Sequence, residues 1–146
     1  MIEIDNVGMY DTAAEEMGKV FISTELGGGG TARASTVKIA KRGVMNVLRH
    51  DDIVGGALEQ APTQWLDMPS DDCFHFTEVD GLIETAVDLG EPVSEGQVLA
   101  RVHPVTRTDL PVHELRAKMS GILAARHFPG LVQTGDCAAV LAVLGG

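Results

Sequence analysis

The chain has 146 residues, 45 % of them hydrophobic, and a formal charge of -10 from 21 acidic side chains against 11 Lys and Arg. That length holds one ordinary domain, or one small domain with part of another. The acidic excess, with no basic stripe, argues against a nucleic-acid partner, because such binding relies on clustered Lys and Arg displacing counterions.

The chain starts MIEIDNVGMYD, without a basic segment followed by an apolar one, and its longest apolar stretch, near CAAVLAVL, is too short to span a bilayer. No membrane partner is expected. Cys73 and Cys137 have no CxxC spacing, so the sequence reads as a soluble cytoplasmic chain without a disulfide framework. YDTAAEEM (10–17) favours helix, with Gly18 suited to its C-terminus. KVFIST (19–24) then reads as a buried strand, followed by Glu25, Leu26 and four glycines at 27–30. Thr31 is placed as the N-cap of a helix through TARASTVKIAKRGVMNVLRH, where Val37, Ala40, Val44, Val47 and Leu48 recur at three- and four-residue steps and Gly43 is a weak point. Helix, strand, glycine turn and helix make one unit of an α/β sheet, which needs further strands to be complete. Residues 1–55 are assigned to this partial α/β unit, 56–64 to a linker and 65–146 to an all-β domain of short segments separated by Gly or Pro.

The β half repeats itself. GLIETAVDLGEPVSEGQVLARV from Gly81 parallels GILAARHFPGLVQTGDCAAVLAV from Gly121, with Val93-x-x-Gly96 matched by Val132-x-x-Gly135 at an offset of 39 to 40 residues. The pattern resembles the barrel-sandwich hybrid fold of biotinyl and lipoyl carrier domains. A carrier needs a lysine at the hairpin between the halves, whereas HPVTRTDLPVHELRAK offers Arg107 at its tip. Lys118 lies three residues before Gly121 and is read as a strand lysine with its amine in solvent. The fold likeness therefore stands without the carrier function.

His75 and Glu78 match HxxE, a zinc-ligand pattern, but residues three apart on a strand point to opposite faces, so the match is read as chance. His50, His103, His113 and His127 stand singly, with no HExxH to recruit them. No GxSxG elbow is present, the glycine run fails the phosphate-loop patterns, and the two cysteines read as small buried hydrophobes. Arg107, Arg116 and His113 are within reach of a ligand, and they are read as solvated surface.

Glu25 is what the bland readings leave unexplained. GKVFISTELGGGGT, followed by IAKRGVMNVL and GQVLARVHP…GDCAAVLAV, resembles the succinylglutamate desuccinylase and aspartoacylase family, in its branch of N-acetyl-diaminobutyrate deacetylases of ectoine breakdown. The likeness covers nearly the whole chain and corresponds to the C-terminal part of a family member. It implies a zinc-dependent hydrolase with a carboxypeptidase-like α/β domain, a small N-acylated amino-acid substrate, and Glu25 as general base. A carboxylate of that kind takes a proton from the attacking water and returns it to the leaving amine. Gly27 and Gly28 are the expected points of close substrate approach. The family's zinc ligands, and the Asn-Arg pair that holds the substrate carboxylate, precede the glutamate motif. No histidine precedes Glu25 here, so no metal ligand is assigned on this chain. The missing N-terminal catalytic portion or another subunit is the expected partner, and a homo-oligomer stays open. The rival reading is a non-catalytic barrel-sandwich interaction module.

Overall fold

In a computed structural model of the chain, residues 8–107 and 109–145 are described. They form two compact units, divided between Glu59 and Gln60.

The first unit contains α1 (Tyr10–Glu16) and α2 (Ala34–His50). Gly18, at φ +67°, ends α1: its N–H reaches the Glu15 carbonyl at 2.8 Å, and the Lys19 N–H reaches Ala14 at 2.9 Å. This satisfies two carbonyls that would otherwise be orphaned. Asp52, at φ +55°, does the same for α2, letting the Ile53 N–H reach Leu48.

Two expectations are corrected here. Residues 19–24 form no strand: they have no ladder partner among the described residues, and strand hydrogen bonds need a neighbour to receive them. Their side chains still alternate. The Phe21 ring meets Tyr10 edge-on with centroids 5.4 Å apart, while Val20 and Ile22 stand 96 % and 70 % exposed. The N-cap of α2 is Arg33, not Thr31. Thr36 supplies the side chain there, accepting the Arg33 N–H at 3.2 Å, while the Thr31 hydroxyl donates to Gly28.

The second unit is all antiparallel β: β1 (Leu66–Asp67), a 3-10 turn (Asp71–Cys73), β2 (Phe74–Phe76), β3 (Gly81–Thr85), β4 (Pro92–Val93), β5 (Val98–His103), β6 (His113–Arg116), β7 (Gly121–Arg126), β8 (Leu131–Val132) and β9 (Cys137–Leu144). One sheet runs β1-β9-β7-β4 with β2 also on β9, and the other runs β6-β5-β3-β8. Leu99, Leu115, Leu123, Leu141 and the alanines at 100, 117, 138 and 139 form the core, drawn from both sheets.

The repeat begins earlier than Gly81. Strands β2 to β5 correspond to β6 to β9, and each copy lends strands to the other's sheet. Val93 of β4 sits opposite Gly121, and Val132 of β8 sits opposite Gly81. The Gly135 N–H donates to Thr77 at 2.8 Å, and at the equivalent place the Gly96 N–H donates to Ala117 at 2.8 Å. A Cβ on Gly81 would lie 2.4 Å from the His103 carbonyl oxygen, and one on Gly121 would lie 2.7 Å from that of Ala142. Those two positions need glycine because a neighbouring backbone occupies the Cβ space.

Candidate active site

Glu25 lies between the extended segment and the glycine turn, with its side chain exposed. Among the described residues it makes no hydrogen bond or ion pair. Gly27, Gly29 and Gly30 adopt φ of +92°, +69° and +61°, so the turn is built from left-handed residues that L side chains avoid. Gly28 does not. A Cβ on Gly27 would also come within 3.2 Å of Thr36 Cγ2, which ties the turn to the first turn of α2. The arrangement projects one carboxylate at the mouth of a tight turn leading into a helix.

The sequence reading missed Asn46 and Arg49. Asn46 Nδ2 donates to the Glu59 carbonyl at 2.9 Å, and its Oδ1 accepts the Glu59 N–H at 2.9 Å. Arg49 adds an ion pair to the Glu59 carboxylate at 3.0 Å. Their spacing of three on one helix face was the available signal.

His75, the strongest metal candidate by motif, is fully buried inside the β unit. Its Nδ1 faces the Cys73 carbonyl at 3.0 Å, and its Nε2 faces the Lys118 backbone N–H at 3.0 Å. The first contact requires a proton on Nδ1 and the second a bare Nε2, so this is the neutral tautomer with both nitrogens used. Burial, foremost, holds its pKa below the ordinary 6.5. Glu78 lies beyond the end of β2 and is exposed. The two do not converge.

Lys118 is in the bend between β6 and β7, not on a strand as expected, because its backbone turns to serve His75. Its amine donates to the Phe74 carbonyl at 3.1 Å. A cleft of about 330 Å³ lies beside it, lined by His75, Glu78, His113, Glu114, Arg116 and Lys118 among others. Arg116 is spent on the Gly96 carbonyl and on Glu114, and Arg107 on Asp109. His103 bonds Glu84 at 2.8 Å, and that bond, above the other causes, lowers the Glu84 pKa. His127 stands 4.0 Å from Asp136, and His50 is exposed in the last turn of α2. Cys73 is buried beside Met119, and half-buried Cys137 has its thiol pKa raised, chiefly by burial.

Among the described residues no three His, Cys, Asp or Glu side chains are grouped to hold a metal. Nor is any helix among them long and apolar enough to cross a membrane.

Residues 1–51 match the succinylglutamate desuccinylase/aspartoacylase catalytic domain. Over 97 % of its length the chain is 46 % identical to the N-alpha-acetyl-L-2,4-diaminobutyric acid deacetylase of Halomonas elongata, of which it covers 42 %. A product-bound structure of the ectoine utilization protein EutE from Ruegeria pomeroyi superposes with a TM-score of 0.88 at 54 % identity, over 96 % of this chain and 43 % of that one. A succinylglutamate desuccinylase/aspartoacylase from Rhodobacter sphaeroides superposes with a TM-score of 0.85 at 31 % identity, over 95 % and 45 %. The chain thus spans less than half the length of these relatives. It resembles the succinylglutamate desuccinylase/aspartoacylase family, whose catalytic-domain model it matches over residues 1–51, and corresponds to the C-terminal part of these relatives.

Proposed function

We propose that this chain is the C-terminal part of an N-acyl amino-acid deacylase, with Glu25 as its general base and an N-acetylated diaminobutyrate as its substrate. The observation that carries the reading is the placement of Glu25, an exposed carboxylate at the entrance to a turn whose three left-handed glycines leave its approach unobstructed. The names of the relatives as a diaminobutyric acid deacetylase and an ectoine utilization protein support the substrate class. Gly27 and Gly28 line the approach in this reading. Zinc belongs to it through the family alone, and its ligands are sought in the portion of the relatives outside the shared region. The β unit's interlocked sheets are read as barrel-sandwich type.

What the chain itself supplies is proton handling. Glu25 accepts the proton of the water that attacks the amide carbonyl and passes it to the amine that leaves. One carboxylate at the glycine turn serves both transfers. The test joins this chain to the preceding portion of the Halomonas elongata relative and follows N-acetyl-diaminobutyrate hydrolysis. Glu25→Gln is expected to lower kcat by about 10²- to 10⁴-fold with little change in KM, the scale of a lost general base. Full activity of the variant would overturn the assignment.

A further inference from the structure

Among the described residues the β unit leaves several strand edges unpaired, and β6 is the one without a block. Strand β4 carries Pro92, which has no N–H to offer, and β1 and β8 are two residues long. On β2 the Phe74 carbonyl is already taken by the Lys118 amine at 3.1 Å. Strand β6 is four residues long and ends the sheet β6-β5-β3-β8. Just past it, Ala117 turns its N–H to Gln97 at 2.9 Å and its carbonyl to Gly96, on the β5 side, while the Lys118 N–H points the other way, to His75. Peptide groups alternate along a strand, so His113 and Leu115 bond toward β5. The N–H and C=O of Glu114 and Arg116 therefore face outward, where no strand among the described residues receives them.

The side chains on this edge complement themselves. Glu114 and Arg116 project from the exposed face with opposite charges, and Leu115 between them faces the core. Laid antiparallel against itself about Leu115, the segment sets each Glu114 opposite an Arg116 as a hydrogen-bonded pair, and Leu115 opposite Leu115 as the closer, non-hydrogen-bonded pair. The cleft of about 330 Å³ beside the edge gives a strand room to approach, and Phe76 of β2, which also lines it, is 49 % exposed and offers apolar cover.

We propose that β6 is a self-association edge: a second copy of this chain adds its own β6 antiparallel, with Glu114 opposite the partner's Arg116, continuing the four-stranded sheet across a two-fold axis at Leu115. Charge selects the occupant. A strand of one sign would be repelled by either Glu114 or Arg116, whereas the same residues running in the opposite direction are repelled by neither. Each favourable pair occurs twice across such a two-fold interface. The edge is short, so association depends on concentration. This pairing does not depend on the deacylase reading.

Sedimentation equilibrium of the full chain from about 5 to about 500 µM tests it, with amide hydrogen exchange read over the same range. A monomer–dimer equilibrium is expected, with exchange at Glu114 and Arg116 slowed about 10-fold or more in the dimer, while Leu115, already bonded toward β5, keeps its monomer rate. Glu114→Arg and Arg116→Glu each set like charges opposite one another twice and are expected to weaken self-association about 10-fold or more. Mixed one to one, the two variants are expected to regain it, because each supplies the charge the other lacks. The Glu114–Arg116 ion pair within each chain stays broken in the mixture, so the recovery does not come from restored folding. Far-UV circular dichroism and exchange in β9 check the fold of each variant, and the wild-type exchange pattern decides the matter without either. A wild-type chain that stays monomeric at the highest concentration, a dimer whose protected amides lie elsewhere, or a mixture of folded variants no more associated than each alone would overturn the proposal.

Discussion

Replacing His75 by alanine removes a neutral imidazole that serves as a clip inside the β unit. Its two ring nitrogens hold the Cys73 carbonyl and the Lys118 N–H at 3.0 Å each, at a site with no solvent exposure. Deletion leaves two buried backbone groups without partners, at about 1–3 kcal/mol each, and opens space in a packed interior. The expected loss is about 3–5 kcal/mol, with about 4–8 °C of Tm per kcal/mol for a unit of this size. Urea unfolding followed by far-UV circular dichroism measures it, with amide exchange assigning the loss to the β unit. The pH dependence tests the same argument independently. Since the folded pKa lies below 6.5, the unfolded chain binds more protons between the two values, and the stability from His75 is present above about pH 6.5. It is lost as pH falls toward the folded pKa, because a protonated Nε2 turns a donor toward the Lys118 N–H. The difference in stability between wild type and His75→Ala should therefore shrink from about pH 7.5 to about pH 5. A variant within about 0.5 kcal/mol of wild type, or a difference that does not change with pH, would refute the reasoning.

Two further outcomes follow from backbone geometry. Gly81→Ala forces a Cβ to within 2.4 Å of the His103 carbonyl and is expected to cost about 1–3 kcal/mol by overpacking, with Gly121→Ala behaving alike; thermal unfolding measures both. Asn46→Ala removes both bonds to the Glu59 backbone, so limited proteolysis should cut residues 53–59 faster while cleavage within the β unit is unchanged.

The features legible in the sequence are those in which one residue type has one physical use. Glycines at 27–30 after an apolar run mark a turn, and left-handed φ at three of the four bears this out. The spacing of Val37, Ala40, Val44 and Val47 marks a helix stripe, and α2 forms there. The Gly81 and Gly121 repeat marks two similar halves, while its upstream strands are not legible because HFTEVD and HELRAKMS share little beyond inward-facing positions. Residues 19–24 depart from the expected strand for a different reason. Their apolar Val-Phe-Ile run reads as a buried strand, but a strand is a relation between two segments, and its partner is not among the described residues. The bend at Lys118 is not legible because nothing in its local sequence reveals that His75, 43 residues away, claims its N–H.

The crossed lending of strands in the β unit makes it indivisible. In each sheet the short strands of one copy, β2 and β4 or β6 and β8, pair with the two long strands of the other, β9 and β7 or β5 and β3. A single copy cut free would expose the borrowed edges of its two long strands and could close them only on a second identical copy. Such a half-length polypeptide has the edges of a symmetric homodimer, and the 39- to 40-residue repeat reads as the two copies of that dimer joined along one chain.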